Sequence, residues 1–326
     1  MIKKKITLKY VDMDSTVKKQ EDGPFFDLLS DHYEIEFSDN PEYLIYGPFG
    51  EEHLNYEKSL RIFYTGECIS PDFNICDYAI GFDDISFGDR YFRYPLWLKY
   101  GKEHNDRMEK KHLEISKEKL DRDFCAFVVS NDFADPMRDL LFREISKYKK
   151  VNSGGKYLNN IGEPNGVFNK MAFQQKHKFV LACENCSHAG YTTEKLMEAF
   201  EAQTIPIYWG DPDIENTFNP KSFINGMKYD SIDDLIRDIK EIDNNDEKYI
   251  NMLKEPAILS ADKKMEKCNS DLLSFLLHIF DQPYLESFRT NRQCWGKKYY
   301  SHRQEQKRLF DWYKGLNGLF RHMIRL

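Results

Sequence analysis

The sequence predicts an α/β protein of two domains, each built on a parallel sheet. The chain has 326 residues, more than the roughly 250–300 residues at which a single hydrophobic core stops growing. Short apolar runs alternate with helical patterns, which is typical of parallel sheets covered by helices. An almost wholly charged stretch, residues 101–123, separates two such regions. We therefore expect two α/β domains that face each other across a cleft.

Five strands are predicted in the first region, where short apolar or alternating runs are divided by turn residues. They are Ile6–Met13, Tyr33–Phe37, Tyr43–Tyr46, Leu60–Tyr64 and Tyr78–Phe82. Weaker helical patterns lie between some of them. Residues 1–122 are accordingly assigned to an N-terminal domain.

The second region alternates more regularly between strand and helix patterns. Strands are predicted at Phe124–Ser130, Phe179–Cys183, Ile205–Trp209 and around Lys221–Ile224, and helices at Arg138–Lys147, Thr193–Ala202 and Ile232–Ile242. Residues 123–286 are assigned to a C-terminal Rossmann-like domain, and residues 287–326 to a helical tail.

Composition narrows the class of protein and its location. The net charge of -7 disfavours nucleic-acid binding, which normally leaves a basic footprint. Seven cysteines is an odd number in a chain too long to need disulfides, and this favours a reducing compartment. No apolar run approaches the ~20 residues of a membrane-spanning helix, and no signal-peptide pattern is evident. The expected location is the cytoplasm, with contact to the inner face of the membrane as an option.

The last forty residues differ in charge from the rest. They carry ten Lys and Arg against two Asp and Glu. Apolar residues in this tail follow helical spacing among the cations, namely Leu309, Trp312, Tyr313, Leu316, Leu319, Phe320, Met323 and Ile324. A basic amphipathic helix is typical of an interfacial membrane anchor, although the same stripe would also suit docking on the protein or on a second copy.

A predicted strand-to-helix junction, residues 185–195, has the features of an anion site. Such junctions are where open α/β sheets bind ligands. If Thr192 or Thr193 caps the helix, Lys195 lies in its first turn, where the helix dipole disfavours a cation. An anion such as a diphosphate would resolve that mismatch. The alternative is an ordinary surface lysine.

Several motifs together resemble one enzyme family. They are Phe63-Tyr-Thr-Gly-Glu67, Asp77-Tyr-Ala-Ile-Gly-Phe82, Asp89-Arg-Tyr-Phe-Arg-Tyr-Pro95, Phe127-Val-Val-Ser-Asn131, Cys183-Glu-Asn-Cys186, Gly190-Tyr-Thr-Thr-Glu-Lys195, Ile205-Pro-Ile-Tyr-Trp-Gly210 and Phe218-Asn-Pro-Lys-Ser-Phe223. This set resembles the signature of the α-1,3-fucosyltransferases, especially the bacterial lipopolysaccharide enzymes that build Lewis-type antigens.

The resemblance implies a fold and a division of labour. The fold would be the GT-B type, in which two Rossmann-like domains face each other, with acceptor in the first and nucleotide sugar in the second. Glu67 is similar to the family's general base, and Tyr64, in the same motif, is implied as a donor-binding residue. The donor-binding residues implied in the second domain are Arg138, Asn185, Tyr191, Glu194 and Lys195, with Arg138 and Lys195 on the donor phosphates.

The implied reaction moves L-fucose from GDP-β-L-fucose, with inversion, to the 3-hydroxyl of N-acetylglucosamine in a lactosamine-type glycan or a lipopolysaccharide O-chain. An inverting transfer needs a base on the acceptor side and cations near the departing GDP. The alternatives are α-1,4 transfer, transfer of another sugar, or a scaffold that binds glycan or nucleotide without turnover.

No obligatory metal or other cofactor is expected, since Arg138 and Lys195 would neutralise the diphosphate. The doublets Asp12-Met-Asp14 and Asp211-Pro-Asp213 look like the Asp-x-Asp metal motif, but such doublets arise easily in an acidic chain, and Asp is favoured in turns. Cys183 and Cys186 lack a second ligand pair for zinc and are expected to be ordinary thiols.

Overall fold

The computed structural model describes residues 3–99, 117–258 and 261–323, with side chains at 3–98, 117–258 and 267–314. The chain forms two compact units. The first contains Met1–Gly81, Ile85–Tyr94 and Ser270–Leu326, and the second contains Phe82–Asp84 and Pro95–Asn269. These units differ from the sequence-based domains, because residues 270–326 group with the first unit.

The first unit contains a six-stranded parallel sheet in the order β2-β1-β3-β4-β5-β6. Its strands are β1 Lys4–Val11, β2 Tyr33–Phe37, β3 Tyr43–Tyr46, β4 Leu60–Tyr64, β5 Tyr78–Gly81 and β6 Tyr91–Arg93, and a short helix, α1, spans Phe26–Ser30. Every residue of β3 and β5 is buried. Such burial is expected of central parallel strands, which are covered on both faces.

The second unit contains a five-stranded parallel sheet in the order β11-β10-β9-β7-β8. Its strands are β7 Asp123–Phe127, β8 Val151–Ser153, β9 His177–Cys183, β10 Ile205–Trp209 and β11 Ile224–Asn225. Its helices are α2 Lys117–Leu120, α3 Pro136–Tyr148, α4 Lys170–Gln174, α5 Glu194–Glu201, α6 Ile232–Asp243 and α7 Asp246–Lys254. Strand β9 is buried along its whole length, and such burial explains the continuous apolar run Phe179–Cys183 within it.

Two long helices complete the chain. They are α8 Ala261–Asp281 and α9 Cys294–Met323. Short 3₁₀ turns occur at Gln20–Asp22, Glu52–Asn55, Leu96–Lys99, Ile214–Asn216, Gly226–Lys228 and Tyr284–Glu286. Among the described residues, no helix is both long and apolar enough to cross a membrane.

Most predicted elements are confirmed. The strands Tyr33–Phe37, Tyr43–Tyr46, Leu60–Tyr64 and Ile205–Trp209 match to the residue. Sequence patterns missed the short strands β6 and β8 and the helices α4, α7 and α8. The strand predicted around Lys221–Ile224 was wrong in extent, because the strand in the structure is only Ile224–Asn225. Most of the charged stretch 101–123 lies outside the described residues, and a cleft between the two domains stays a prediction.

The two sheets share one topology. In each, the first strand of the unit lies between the second and the third, β1 between β2 and β3, and β7 between β8 and β9. The chain therefore leaves the first strand in one direction and returns on its other side, which defines a topological switch point. Open α/β sheets bind their ligands outside the carboxyl ends of the strands at that point.

The tail is helical as predicted, but its first part is an integral piece of the first unit. Tyr300 is buried, and its hydroxyl donates to the Leu54 carbonyl at 2.7 Å. The Gln304 amide donates to the same carbonyl at 2.9 Å. Beyond Lys307 the described apolar side chains are exposed, namely Leu309, Phe310, Trp312 and Tyr313. The rest of the predicted apolar stripe lies outside the described side chains.

Candidate active site

The switch point of the second sheet brings together two loops that are distant in sequence. Strand β7 ends at Phe127 and leads to α3, whose N-cap, Asp135, accepts a hydrogen bond from the Met137 backbone N–H at 2.8 Å. The backbone N–H of Asp135 donates to the Asn185 carbonyl at 2.7 Å. Because Asn185 follows β9, this bond joins the carboxyl ends of β7 and β9.

Arg138 occupies the first turn of α3 and is only 1% exposed. Its Nη1 donates to Asn185 Oδ1 at 3.2 Å, and its Nη2 donates to the Asn131 carbonyl at 2.7 Å. Its Nε has no hydrogen-bond partner, and the Tyr157 ring centroid lies 5.5 Å from Cζ. Among the described residues no carboxylate forms an ion pair with this guanidinium, so none of them neutralises its positive charge in this way.

Lys195 lies at the start of α5. The N-cap of this helix is Thr193, which was one of the two residues predicted for that position. Its hydroxyl accepts a hydrogen bond from the Lys195 backbone N–H at 3.4 Å. The Lys195 ammonium lies 3.2 Å from Thr193 Oγ1 and 3.4 Å from carboxylate oxygens of both Glu184 and Glu194. The cation is therefore held at the helix start by two carboxylates, against the direction of the helix dipole.

Glu184 is the residue that the sequence analysis missed. Its side chain is fully buried, and it accepts hydrogen bonds from the Thr193 backbone N–H at 2.8 Å and from the Thr193 hydroxyl at 2.6 Å. Burial raises the pKa of Glu184, and the Lys195 charge partly opposes that rise. Gly210 makes the space, since a Cβ there would lie 2.4 Å from Glu184 Cγ. The sequence signal that could have identified Glu184 is a glutamate directly after a predicted buried strand.

The charges of Arg138 and Lys195 both affect Cys183, the last residue of β9. Burial raises the pKa of the Cys183 thiol, and the charges of Arg138 and Lys195 both oppose that rise. Cys183 is buried and Cys186 half-buried, and both are free thiols as predicted. The carboxyl end of β9 is thus flanked by two positive charges, one from each neighbouring helix.

Asp211 orders the loop that precedes α5. Its carboxylate accepts hydrogen bonds from the backbone N–H groups of Gly190 at 3.0 Å and Asp213 at 2.9 Å, and from the Thr192 hydroxyl at 3.2 Å. In the described part of the chain no group of three or more His, Cys, Asp or Glu side chains is placed to hold a metal ion. Whether the reaction needs a metal stays a prediction.

The other predicted donor residues lie in the same loop and helix start. Tyr191 is 2% exposed, and its ring centroid lies 5.1 Å from that of Phe82, which belongs to the same unit. Burial alone would raise the pKa of Glu194, but the charges of Lys195 and Lys170 bring it below its usual value. Tyr191, Glu194 and Lys195 therefore all lie at or next to the N-terminus of α5.

Glu67 and Tyr64 lie in the first unit, at the end of β4. The Glu67 side chain is exposed, while its backbone is fixed by a turn in which the Glu67 N–H donates to Thr65 Oγ1 at 2.9 Å. The Thr65 hydroxyl donates in turn to the Glu67 carbonyl at 3.1 Å. Burial raises the pKa of Tyr64 to about 12. A rigid turn thus presents a carboxylate to solvent at the carboxyl edge of the first sheet.

Comparison with known proteins defines the class. Residues 8–100 match the family described as "Alpha-(1,3)-fucosyltransferase FucT N-terminal domain", and residues 116–267 match "Glycosyltransferase family 10 (fucosyltransferase) C-term". The two matches follow one another along the chain and together span most of it. The chain belongs to the glycosyltransferase family 10 fucosyltransferases.

Individual relatives agree with that class. The chain is 35% identical over 289 residues to the α-(1,3)-fucosyltransferase of Helicobacter pylori, covering 77% of this chain and 59% of that protein. It is 30% identical over 270 residues to a putative fucosyltransferase of Acanthamoeba polyphaga mimivirus, covering 79% and 42% respectively. The chain thus spans about half the length of these relatives.

Solved structures confirm the fold class. A crystal structure of an α1,3-fucosyltransferase with GDP-fucose is similar with a TM-score of 0.67 and 28% identity, covering 87% of this chain and 93% of that one. The same enzyme class with GDP matches with a TM-score of 0.68, covering 83% and 91%. The predicted architecture of two parallel-sheet α/β domains with a helical C-terminal region is correct.

Proposed function

We propose that the protein is a GDP-fucose-dependent α-1,3-fucosyltransferase that inverts the anomeric configuration of its donor. The observation that carries this proposal is the pair of cations, Arg138 and Lys195, at the switch point of the second sheet. Arg138 is buried, and no carboxylate in the described part of the chain pairs with it. A buried unpaired charge is costly unless a ligand compensates it. A diphosphate supplies that compensation.

In this proposal the second unit stabilises the leaving group. When the bond between fucose and GDP breaks, its electron pair passes to the diphosphate, and negative charge grows there. The planar guanidinium of Arg138 suits directed contacts with phosphate oxygens, whereas the Lys195 ammonium acts as a point charge. Asn185 orients Arg138 through its 3.2 Å hydrogen bond. Both cations then act most strongly at the transition state.

Glu67 takes the role of general base in the first unit. Its exposed carboxylate removes the proton of the 3-hydroxyl of N-acetylglucosamine as that oxygen bonds to the anomeric carbon of fucose. The new C–O bond forms on the face opposite the departing GDP, so the β-linked donor becomes an α-linked product. A lactosamine-type glycan or a lipopolysaccharide O-chain is the acceptor in this proposal.

One experiment tests the reaction and its acceptor together. The protein is mixed with GDP-fucose and a panel of type 1 and type 2 lactosamine acceptors, GDP release is followed, and the product linkage is determined by NMR. We expect acceptor-dependent GDP release and α-1,3-linked fucose on N-acetylglucosamine. A product with an α-1,4 linkage would overturn the proposed linkage. Binding without GDP release would favour a non-catalytic scaffold instead.

We propose further that turnover needs no divalent metal, because two protein cations already flank the diphosphate position. The expected result is unchanged GDP binding in EDTA and a transfer rate within about twofold of that in the untreated protein. Loss of activity in EDTA that manganese restores would contradict this.

A further inference from the structure

Glu184 is a fully buried carboxylate next to the first turn of α5. Its Oε1 accepts a hydrogen bond from the Thr193 backbone N–H at 2.8 Å, and its Oε2 accepts one from the Thr193 hydroxyl at 2.6 Å. In the described part of the second unit, Lys195 is the only cation paired with Glu184, and its ammonium lies 3.4 Å from Oε2. A buried carboxylate that depends on one cation is sensitive to any ligand that draws on that cation.

The Lys195 ammonium is shared between two carboxylates. It lies 3.4 Å from Glu184 Oε2 and also 3.4 Å from Glu194 Oε1. A diphosphate at the start of α5 would bring further negative charge to the same ammonium. Anionic groups repel one another strongly where little water screens them. This repulsion is relieved most directly if one of the two carboxylates takes up a proton.

The two carboxylates differ in how readily they take up a proton. Burial raises the pKa of Glu184, and the Lys195 charge partly opposes that rise. Burial alone would raise the pKa of Glu194 as well, but the Lys195 charge and a hydrogen bond from Thr193 help to bring it below its usual value. Glu184 is therefore the carboxylate that becomes protonated when an anion draws on Lys195, whereas Glu194 stays ionised.

The other titratable groups around Glu184 do not compete for this proton. Cys183 precedes Glu184 on β9, and burial raises the pKa of its thiol. Tyr208 lies on β10, and its pKa is raised by burial and by the Glu184 charge. Both groups already carry their proton at neutral pH. In the turn after β10, the Asp211 carboxylate accepts from backbone N–H groups and from the Thr192 hydroxyl.

We propose that Glu184 takes up a proton when a nucleotide diphosphate binds at the start of α5, and that it thereby releases Lys195 to the phosphate oxygens. This inference rests on the proposed function, which supplies the position of the diphosphate. Glu184 acts through Lys195 and is therefore a positioning residue.

The proton comes from solvent by way of the Lys195 ammonium, whose side chain is 14% exposed. Lys195 passes one proton to Glu184 Oε2 and takes another from water, so its own charge is unchanged. The protonated Oε2 then donates a hydrogen bond to Thr193 Oγ1. The Thr193 hydroxyl, which donated to Oε2 before, turns to the Glu194 carboxylate.

Calorimetry with GDP-fucose as the probe tests the proposal. The donor is titrated without acceptor into the full chain, between about pH 5.5 and 8, in buffers of different ionisation enthalpy. Both phosphates of GDP-fucose are esterified, so neither titrates there, unlike the terminal phosphate of GDP at about pH 6. We expect an uptake of about half to one proton per donor bound, and an affinity that falls by about three- to tenfold for each pH unit at its steepest.

The possible failures have different meanings. Binding of GDP-fucose without proton uptake at any pH in this range would overturn the inference and leave the proposed function standing. Failure of GDP-fucose to bind would overturn the proposed function, and the inference with it.

Two matched variants locate the proton. Glu184→Gln removes the titrating group, so it should abolish the uptake and flatten the pH dependence of the affinity. Glu194→Gln removes a carboxylate at the same 3.4 Å distance from Lys195 and should keep most of the uptake. Equal uptake in Glu184→Gln and in the wild type would place the proton elsewhere and overturn the inference.

A measurement on the wild type keeps the inference testable if Glu184→Gln does not fold. GDP-fucose has no carboxyl group, so a protonated-carboxyl band that appears in the infrared difference spectrum on binding belongs to the protein. We expect this band in the wild type and in Glu194→Gln. Its absence from both would overturn the inference, and its loss in Glu194→Gln alone would assign the proton to Glu194 instead.

Discussion

The two sheets have the same switch-point topology but differ in the charged groups that lie at that point. In the first sheet, Asp12 at the end of β1 accepts hydrogen bonds from the backbone N–H groups of Glu52 and His53, each at 2.9 Å, and from His53 Nδ1 at 2.7 Å. In the second sheet the first turn of α3, the helix that follows β7, carries Arg138, which has no carboxylate partner in the described structure. At the first switch point the buried charge is paired within the chain. At the second, Lys195 is paired with Glu184 and Glu194, whereas Arg138 has no carboxylate partner among the described residues.

This difference shows how one topology serves two kinds of ligand. Backbone donors at a switch point bind anions, but in the first unit the Asp12 carboxylate already occupies them. In the second unit Arg138 has no carboxylate partner among the described residues and remains for an external anion, while Lys195 is already held by Glu184 and Glu194. The contrast supports our assignment of the nucleotide sugar to the second unit and of an uncharged acceptor to the first. The fold supplies the position, and the side chains select the ligand.

The largest expected effect is that of Glu67→Gln, which removes the proposed base with little change in shape. A positioned general base contributes about 10²–10⁴ in rate, so the transfer rate should fall by that factor. GDP affinity should stay within about twofold, since Glu67 lies outside the second unit. Calorimetric GDP titration and an initial-rate assay measure the two quantities. A variant that keeps more than about a tenth of the wild-type rate would place the base elsewhere.

Lys195→Ala should have the next largest effect on the transfer rate, and unlike Glu67→Gln it should also weaken GDP binding. It removes a cation next to the proposed diphosphate, which should slow transfer by roughly 10²-fold and weaken GDP binding, while the acceptor KM changes little. Lys147→Ala is a matched control, because Lys147 lies in the last turn of α3, at the opposite end from Arg138, and pairs there with Glu144. Unchanged GDP affinity in Lys195→Ala would mean that the diphosphate binds elsewhere.

The two switch points should also respond to pH in opposite directions. Burial would raise the pKa of Asp12, but hydrogen bonds from His53 and Glu52 bring it below its usual value. Asp12 therefore stabilises the fold above its unfolded pKa of about 3.9, and this contribution is lost as the pH falls through the lower folded pKa. Glu184 has a raised pKa, so its ionised form is disfavoured by folding, and that cost is relieved as the pH falls.

The corresponding variants are Asp12→Asn and Glu184→Gln, measured by urea denaturation between pH 3 and 8. Asp12→Asn should lower the free energy of unfolding by about 1–3 kcal/mol at pH 7, with a smaller loss in acid. Glu184→Gln should lower the free energy of unfolding by less than Asp12→Asn does at pH 7. As the pH falls, its free-energy difference from wild type should grow, whereas that of Asp12→Asn should shrink. Parallel pH profiles for the two variants would contradict the contrast between the two sites.

The smallest effect on turnover is expected from removing residues 308–326. The structure places this cut beyond Tyr300 and Gln304, which fix α9 to the first unit. Transfer to soluble acceptors should stay within about twofold, while binding to vesicles that contain anionic lipid should fall, because the exposed aromatic and basic residues are typical of interfacial helices. If the truncated protein binds vesicles as tightly as the full chain, the tail docks on protein instead.

The sequence alone determined the fold class, and it named candidate site residues whose roles stay predictions. Period-two and continuous apolar runs identify β3, β4 and β10 to the residue because these strands are buried and bounded by turn residues. Arg138 and Lys195 were predicted on helix starts, where a cation is unusual enough to stand out against the helix dipole. The short strands β6 and β8, each three residues long, carry too few residues for a periodic signal.

Tertiary structure decided which groups meet. Arg138 and Asn185 are 47 residues apart, and only the pairing of β7 with β9 makes their hydrogen bond possible. The Glu184 side chain fits only because Gly210, at the end of the neighbouring strand, has no Cβ. Asp77 accepts hydrogen bonds from Thr290 and Arg292, which lie more than 200 residues later in the chain. Local patterns report propensity and burial, whereas these contacts depend on strand order. The reason is physical: a buried charge is costly unless another segment of the chain or a ligand supplies a partner for it.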